Sequence, residues 1–410
     1  MNIYFILILT ILIGQYVFKV VVESLNVRSA CEELPQEFQG YYDAEKYRGA
    51  QTYLKETTRW NLWEETFWLS LTLVFIGGGG FAVVDRLARS WGQTEVATGL
   101  IFAGIIMLGV QILQLPFSAY ETFGIEARYG FNKMTVKTFI ADRVKALGLG
   151  VILAGSLYAL VIWFFLYLGA WAWIWAWGAV IVFQLCVIYL APVMIFPLFN
   201  KFTSLKKGEL KDAIEQYAQT QNFHLKGIFT IDGSRRSTKA NAFFVGFGRN
   251  RRVGLYDTLI DEQTTEEVVS VLAHEIGHYK RGHILKGMIL SFGTTGLMFY
   301  LLAFFIKNEG LFAAFGMEQT SVYASLFFFA FLYAPIQMLL HIASQVFSRR
   351  WEYEADRYAV KTLPRAEPFV SALKKLSVNH LSNLTPHPLK VFLDYSHPPV
   401  LNRIRAIRKV

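Results

Sequence analysis

Seven stretches of this chain are long and apolar enough to cross a lipid bilayer, and no other feature constrains its fold as strongly. A helix needs about 20 mostly apolar residues to span the hydrocarbon core. Residues 3–22, 66–84, 96–115, 147–168, 171–198, 285–306 and 321–346 each supply such a run. Of the 410 residues, 54% are hydrophobic and only 17% charged, a balance unlike that of a soluble chain this long. The first stretch is too long for a signal peptide, has no basic start and is followed by no small-residue cleavage site, so it reads as an anchor. Glycines 77–80 interrupt the second stretch and permit close packing or a kink. Trp60, Trp63, Trp68, Trp171, Trp173, Trp175 and Trp177 cluster near segment ends, where interfacial aromatic belts form. Cys31 and Cys186 are the only cysteines, and they lie in unlike surroundings, so no disulfide scaffold is indicated.

With seven spans, the polar stretches 23–65, 119–146, 200–283 and 347–410 all fall on one side of the membrane. They hold 35 of the 40 lysines and arginines, whereas the opposite side holds Arg86, Arg89 and Lys307. Basic residues collect in cytoplasmic loops, which places these stretches in the cytoplasm, as in a bacterial inner membrane or the endoplasmic reticulum. The same rule explains the net charge of +9, so nucleic acid is not expected as a partner. The chain divides into spans one to five (1–199), a catalytic region (200–283), spans six and seven (284–346) and a C-terminal catalytic region (347–410).

The chemistry lies in His274-Glu275-Ile276-Gly277-His278. Thr264 and Glu267 form a capping box ahead of an apolar helical pattern, so the motif belongs to a helix. Residues four apart differ by about 40° around a helix, so both histidines face one point and can share a zinc ion. Glu275 is placed beside them to polarise a metal-held water. A third ligand has to come from elsewhere. In Ser348-Arg349-Arg350-Trp351-Glu352-Tyr353-Glu354-Ala355-Asp356, Glu352 and Asp356 share a helix face. One can bind the metal while the other orients a ligand histidine. Glu354 points about 200° away on the same helix. His283, about 180° from His274 on a continuous helix, is expected to pack, cap or hydrogen-bond locally rather than bind metal. His224, His341 and His380 are read as structural.

His397 lies in Ser396-His397-Pro398-Pro399, at a rigid corner before a helix over 400–409. There it and Arg403 can stabilise an oxyanion, or the corner can be a plain turn. Asn241–Phe247 reads as a strand, turning through 248–251 into a second strand over 253–256, a β-hairpin.

Several further runs, together with these, resemble one family. They are Phe123-Gly124-Ile125-Glu126, Tyr129-Gly130-Phe131-Asn132-Lys133, Asp232-Gly233-Ser234 and Asn241-Ala242-Phe243-Phe244-Val245-Gly246-Phe247. With the His-Glu-Ile-Gly-His motif, Ser348-Arg349, Glu352, Asp356 and Ser396-His397-Pro398-Pro399, they resemble the CAAX prenyl protease type 1 family of integral-membrane zinc metalloproteases. The resemblance implies a polytopic α-helical protein of seven membrane helices around a large intramembrane chamber. It implies one Zn2+ per chain on His274, His278 and Glu352, with His397 and Arg403 near the substrate. It also implies removal of the last three residues of prenylated proteins. In such a peptidase an edge strand can hold substrate extended, which assigns that role to Asn241, Ala242, Phe243, Phe244 and Val245. The expected partners are a membrane-associated or lipid-bearing polypeptide and the bilayer itself. Three readings compete with this one. The first is a general quality-control protease of the same chemistry. The second is an intramembrane-cleaving zinc protease, which the polar flanks of the motif and the early position of Asp232-Gly233 oppose. The third is a non-enzymatic zinc-stabilised membrane protein, which has no use for Glu275.

Overall fold

The computed structural model describes residues 2–92, 94–245 and 251–410. In chain order its first half comprises α1 (Ile3–Arg28), α2 (Ala44–Gly77), α3 (Gly80–Trp91), α4 (Glu95–Tyr120), α5 (Val136–Tyr167), α6 (Ala172–Leu190) and the short α7 (Phe196–Phe199). Then follow β1 (Phe202–Ser204), α8 (Glu209–Thr220), β2 (Gly227–Ile231), β3 (Ala242–Val245), β4 (Arg252–Tyr256), α9 (Asp257–Glu262) and α10 (Thr265–Lys280). The last part holds α11 (His283–Ala303), α12 (Glu309–Ala314), α13 (Val322–Thr362), α14 (Glu367–Asn379), α15 (Pro388–Asp394) and α16 (Val400–Ile407).

Among the described residues six helices are long and apolar enough to cross a membrane, and a seventh span results if the bent pair α2–α3 counts as one. The second expected span, 66–84, is bent at the glycines that permit a kink. α2 and α3 meet at 67°. Gly79 between them has φ of 68°, a left-handed conformation that a side chain would strain. Past the bend, α3 buries Phe81, Val84, Asp85 and Ala88. Asp85 accepts hydrogen bonds from Arg89 Nε at 2.7 Å and from the Tyr323 hydroxyl.

Residues of α4, α5, α6, α11 and α13 line a chamber of about 1770 Å³, mostly with apolar side chains. All four polar stretches meet at one end of these helices. Glu126 accepts from the Tyr53 hydroxyl at 2.5 Å and from Lys239 Nζ at 2.9 Å. Arg236 grips Asp142 at 2.8 and 3.1 Å, and Glu37 pairs with Lys374. Beneath these contacts lies a core of Phe38, Ile214, Leu255, Leu272, Phe369 and Ile404, each 2% exposed or less. Removing one such side chain from water is worth about 1.5–3 kcal/mol. This end therefore folds by ordinary hydrophobic burial, unlike the lipid-facing helices.

The sheet has the order β1-β2-β4-β3. β2 and β4 are parallel; β3 and β4 are antiparallel, with Ala242 opposite Leu255 and Val245 opposite Arg252. The expected hairpin pairing is thus present, though Gly246 and Phe247 and most of the expected turn lie outside the described residues. β3 is an edge strand. The division placed at 346/347 falls inside α13, a single helix of 41 residues. Its apolar half and the half carrying Glu352 and Asp356 belong to one continuous helix.

Candidate metal centre and active site

The capping box forms as expected. Thr264 Oγ1 accepts from the Glu267 amide, and the Thr264 amide donates to Glu267 Oε2 at 2.8 Å. Glu267 also accepts from Ser371 at 2.6 Å and Lys375 at 2.7 Å, tying the start of α10 to α14. Val268, Leu272, Ala273 and Ile276 bury one face of α10. Gly277 sets how closely α10 approaches α13: a β-carbon there would lie 3.0 Å from the Ala355 carbonyl oxygen. The close crossing brings the two histidines onto Glu352.

The result is a tight cluster in which one ligand atom each from His274, His278 and Glu352 lies within 4.8 Å of the others. The two imidazole Nε2 atoms are 3.1 Å apart. His278 Nε2 is 3.1 Å from Glu352 Oε1, and His274 Nε2 is 3.4 Å from Glu352 Oε2. Both Nδ1 atoms are engaged elsewhere. His274 Nδ1 meets Asp356 Oδ1 at 2.8 Å, and His278 Nδ1 meets His283 Nδ1 at 3.1 Å. Those partners place the ring protons on Nδ1 and leave the Nε2 lone pairs converging on each other. Glu352 is 3% exposed, and its Oε2 has no hydrogen-bond partner. Lone pairs gathered this way repel one another unless a cation lies between them. A proton on His274 is one such cation: burial opposes charging the ring, but its bonds to Asp356 and Glu352 outweigh that and push its pKa up to about 9. Carboxylates that draw a proton so strongly also favour a metal ion. The donor set of two nitrogens and one oxygen therefore fits a metal.

The remaining expected residues are distributed as follows. Asp356, 2% exposed, is held by Arg403 through Nη2 at 2.6 Å and Nε at 2.9 Å. Arg403 Nη1 is 3.6 Å from Glu352 Oε2. Its guanidinium thus lies against the two carboxylates rather than at an open position beside His397. His397 Nε2 is 3.3 Å from Glu352 Oε1, and its Nδ1 is 2.8 Å from Ser396 Oγ. Its side chain is 61% exposed. Glu275 is half-buried, with no hydrogen bond or ion pair among the described residues, so its carboxylate is uncommitted. β3 packs alongside α10 rather than joining the ligand cluster. Asn241 is exposed, its carbonyl accepting from the Tyr256 amide at 3.0 Å, while the Phe243 and Phe244 rings pack on Phe196 and Phe223.

Three supports were not legible as such. His283 and Glu354 form the first: His283 Nε2 meets Glu354 Oε2 at 3.2 Å, and its ring stacks on Trp351. A continuous helix turns His283 away from the site. Instead α10 ends at Lys280, the chain turns at Gly282, and α11 begins with His283 against His278. The glycine just past the helix end was the available signal. The second is Arg349, which donates to the carbonyls of Val391 at 2.9 Å, Phe392 at 3.2 Å and Tyr395 at 2.6 Å, fixing the corner that carries His397. The third is His380, whose Nε2 accepts the Ala240 amide at 3.1 Å at the entry to β3.

A candidate metal-binding cluster whose carboxylate sits on a helix continuing from an apolar span, and whose histidine helix directly precedes another, fits a metallopeptidase built into a membrane. Comparison with known proteins identifies which. Residues 24–201 match the family described as CAAX prenyl protease N-terminal, five membrane helices, and residues 204–410 match peptidase family M48. The chain is 34% identical to the probable CAAX prenyl protease 1 of Schizosaccharomyces pombe, over 96% of this chain and 86% of that protein. It is 30% identical to the CAAX prenyl protease 1 homolog of Homo sapiens, over 92% and 88% of the two chains. The crystal structure of S. mikatae Ste24p superimposes with a TM-score of 0.94 at 30% identity, covering 98% of this chain and 99% of that one. The chain belongs to the CAAX prenyl protease 1 family of M48 peptidases. It is a multi-pass integral membrane metalloendopeptidase. The non-enzymatic reading finds no support in these relatives.

Proposed function

We propose that this chain uses one zinc ion, held by His274, His278 and Glu352, to cleave membrane-associated polypeptides near a prenylated C-terminal cysteine, at the cytoplasmic face. The observation that carries the reading is the convergence of two imidazole Nε2 atoms on the buried Glu352 carboxylate, whose Oε2 has no hydrogen-bond partner. Two nitrogens and one carboxylate suit zinc better than calcium or magnesium, which prefer all-oxygen sets. When bound, zinc polarises a carbonyl and makes water acidic enough to attack it at neutral pH. Glu275 takes the proton from the attacking water on its free carboxylate and passes it to the leaving amine. His397 accepts from Ser396 at Nδ1 and donates from Nε2 to the substrate oxygen that becomes negative. Asp356 and His283 hold the ligand rings in the tautomer that frees Nε2, and Arg403 balances the charge of Asp356 and Glu352. The purified protein should carry one zinc per chain by metal analysis. Glu352→Ala should lose most of it, and full retention would move the third ligand elsewhere. His283→Phe keeps a ring on Trp351 but offers no acceptor to His278 Nδ1. It should release zinc to a chelator roughly 10–100 times more readily, and an unchanged release would make His283 a packing residue only.

The free edge of β3 is proposed to pair with an extended substrate. The relatives' names supply the substrate class, and the large apolar chamber supports a lipid-bearing one. A proline in the peptide at a position donating to β3 removes one hydrogen bond and should weaken binding about tenfold. If proline scanning leaves KM unchanged at every position near the scissile bond, strand pairing is wrong. Removing the prenyl group from the same peptide should also lower kcat/KM.

The 35 basic residues on the polar stretches support a cytoplasmic position for the catalytic end. Single cysteines introduced at Gly208 and near Val410 should both be shielded from a membrane-impermeant reagent in intact cells. Labelling of either from outside would reverse the topology.

A further inference from the structure

A groove of about 510 Å³ lies between α1 and α2, lined by none of the metal-centre residues. The two helices are joined at its membrane end, where Tyr16 Oη and Thr66 Oγ1 are 2.6 Å apart and Lys19 pairs with Glu65. Apart from Thr66, the groove residues lie on the polar-stretch side of that clasp. Its α1 wall presents Val27 and Arg28, and its α2 wall presents Lys55, Arg59, Leu62 and Trp63.

Two properties of this lining point to a ligand. Arg28, Lys55 and Arg59 are all exposed, and none makes an ion pair or side-chain hydrogen bond among the described residues. Lys55 and Arg59 are one helical turn apart on the same face, where like charges repel. The one carboxylate lining the groove, Glu23, is already paired with Lys390. The groove therefore holds three uncompensated positive charges. The second property is depth. Residues 23–28 and 55–63 lie just outside the apolar runs of the first two spans, and Trp63 is 63% exposed, as interfacial tryptophans are. Cations occupy the polar end of the groove, while Leu62 and Trp63 extend it toward the membrane. That order matches a phospholipid, with phosphate outermost and hydrocarbon below.

We propose that this groove binds the phosphate headgroup of one anionic membrane lipid. Basic pockets between membrane helices at this depth recognise such headgroups, each Lys or Arg being worth on the order of fivefold in affinity. Phosphate is the shared chemistry of lipid and free anion. The lipid is favoured because Leu62 and Trp63, on the membrane side of the cations, have no use in binding inorganic phosphate.

The test is native mass spectrometry of the full-length, detergent-purified protein, titrated with phosphatidylglycerol, phosphatidylcholine or inorganic phosphate. One phosphatidylglycerol per chain should bind preferentially. R28Q/K55Q/R59Q should weaken it on the order of a hundredfold, and R59Q alone about fivefold. Neutralising three exposed lysines elsewhere, K206Q/K207Q/K409Q, should leave it unchanged. R59Q is a single exposed change, so it keeps the test decisive if the triple variant folds poorly; retained zinc content monitors folding in each. Equal binding of both lipids, or equal affinity in wild type and R59Q, overturns the proposal. Displacement of the lipid by inorganic phosphate at matched concentration overturns the lipid assignment in favour of a free-anion site.

Discussion

Glu275→Gln should keep its zinc and its fold while losing peptide cleavage by roughly 10²–10⁴-fold, the usual contribution of a positioned acid–base group. The substitution is nearly isosteric, and the Glu275 carboxylate makes no hydrogen bond or ion pair among the described residues. The ligand cluster is built from His274, His278 and Glu352, so metal content should match wild type. What disappears is the group that accepts a proton from water and returns it to the amine. A loss in kcat with little change in KM is the expected signature, because proton transfer belongs to the transition state. Zinc analysis and single-turnover cleavage on one preparation decide the matter. Turnover near wild type in both Glu275→Gln and Glu275→Ala would remove this residue from the mechanism.

His397→Ala should slow cleavage by about 10²–10³-fold, with zinc and substrate binding largely retained. Ser396 Oγ at 2.8 Å engages Nδ1, leaving Nε2 on the side of the metal cluster, 3.3 Å from Glu352 Oε1. A donor in that position acts on charge that exists only as the carbonyl is attacked, so kcat should fall more than KM rises. The competing role, a structural corner, predicts a different result: a lower melting temperature and near-normal turnover in the protein that survives. Arg349 provides an internal comparison. It holds the corner through three backbone carbonyls and does not touch the ligand cluster, so its loss should reduce stability as well as rate.

Much of the protein was legible because it depends on short-range periodicity. Twenty apolar residues must be a span, and two histidines four apart must share a helix face. Thr264 and Glu267 announced the start of α10, and their reciprocal hydrogen bonds are present. Glycines 77–80 left close packing or a kink open, and did not show that α3 would leave at 67° and bury an Asp85–Arg89–Tyr323 network. His283 was assigned to a helix that in fact ends before it, and a three-residue error in a helix boundary reversed the direction of an imidazole.

By itself, the sequence determined the membrane class, the common end of the four polar stretches, the histidine helix and the strand pair, because each is set by local pattern, charge count or pairing signals. Nothing local ties residue 274 to residues 352, 356 and 403, since no period or spacing operates across such separations. Resemblance named those partners, but only the tertiary structure decided their arrangement. Gly277 lets α10 lie close on α13, and α13 carries Glu352 and Asp356 rigidly out of the membrane. Arg403 closes the charge from a helix at the far end of the chain. The chamber is of the same kind: each helix shows only that it is apolar, and whether such helices pack together or stand apart around about 1770 Å³ depends on how side chains from five of them meet.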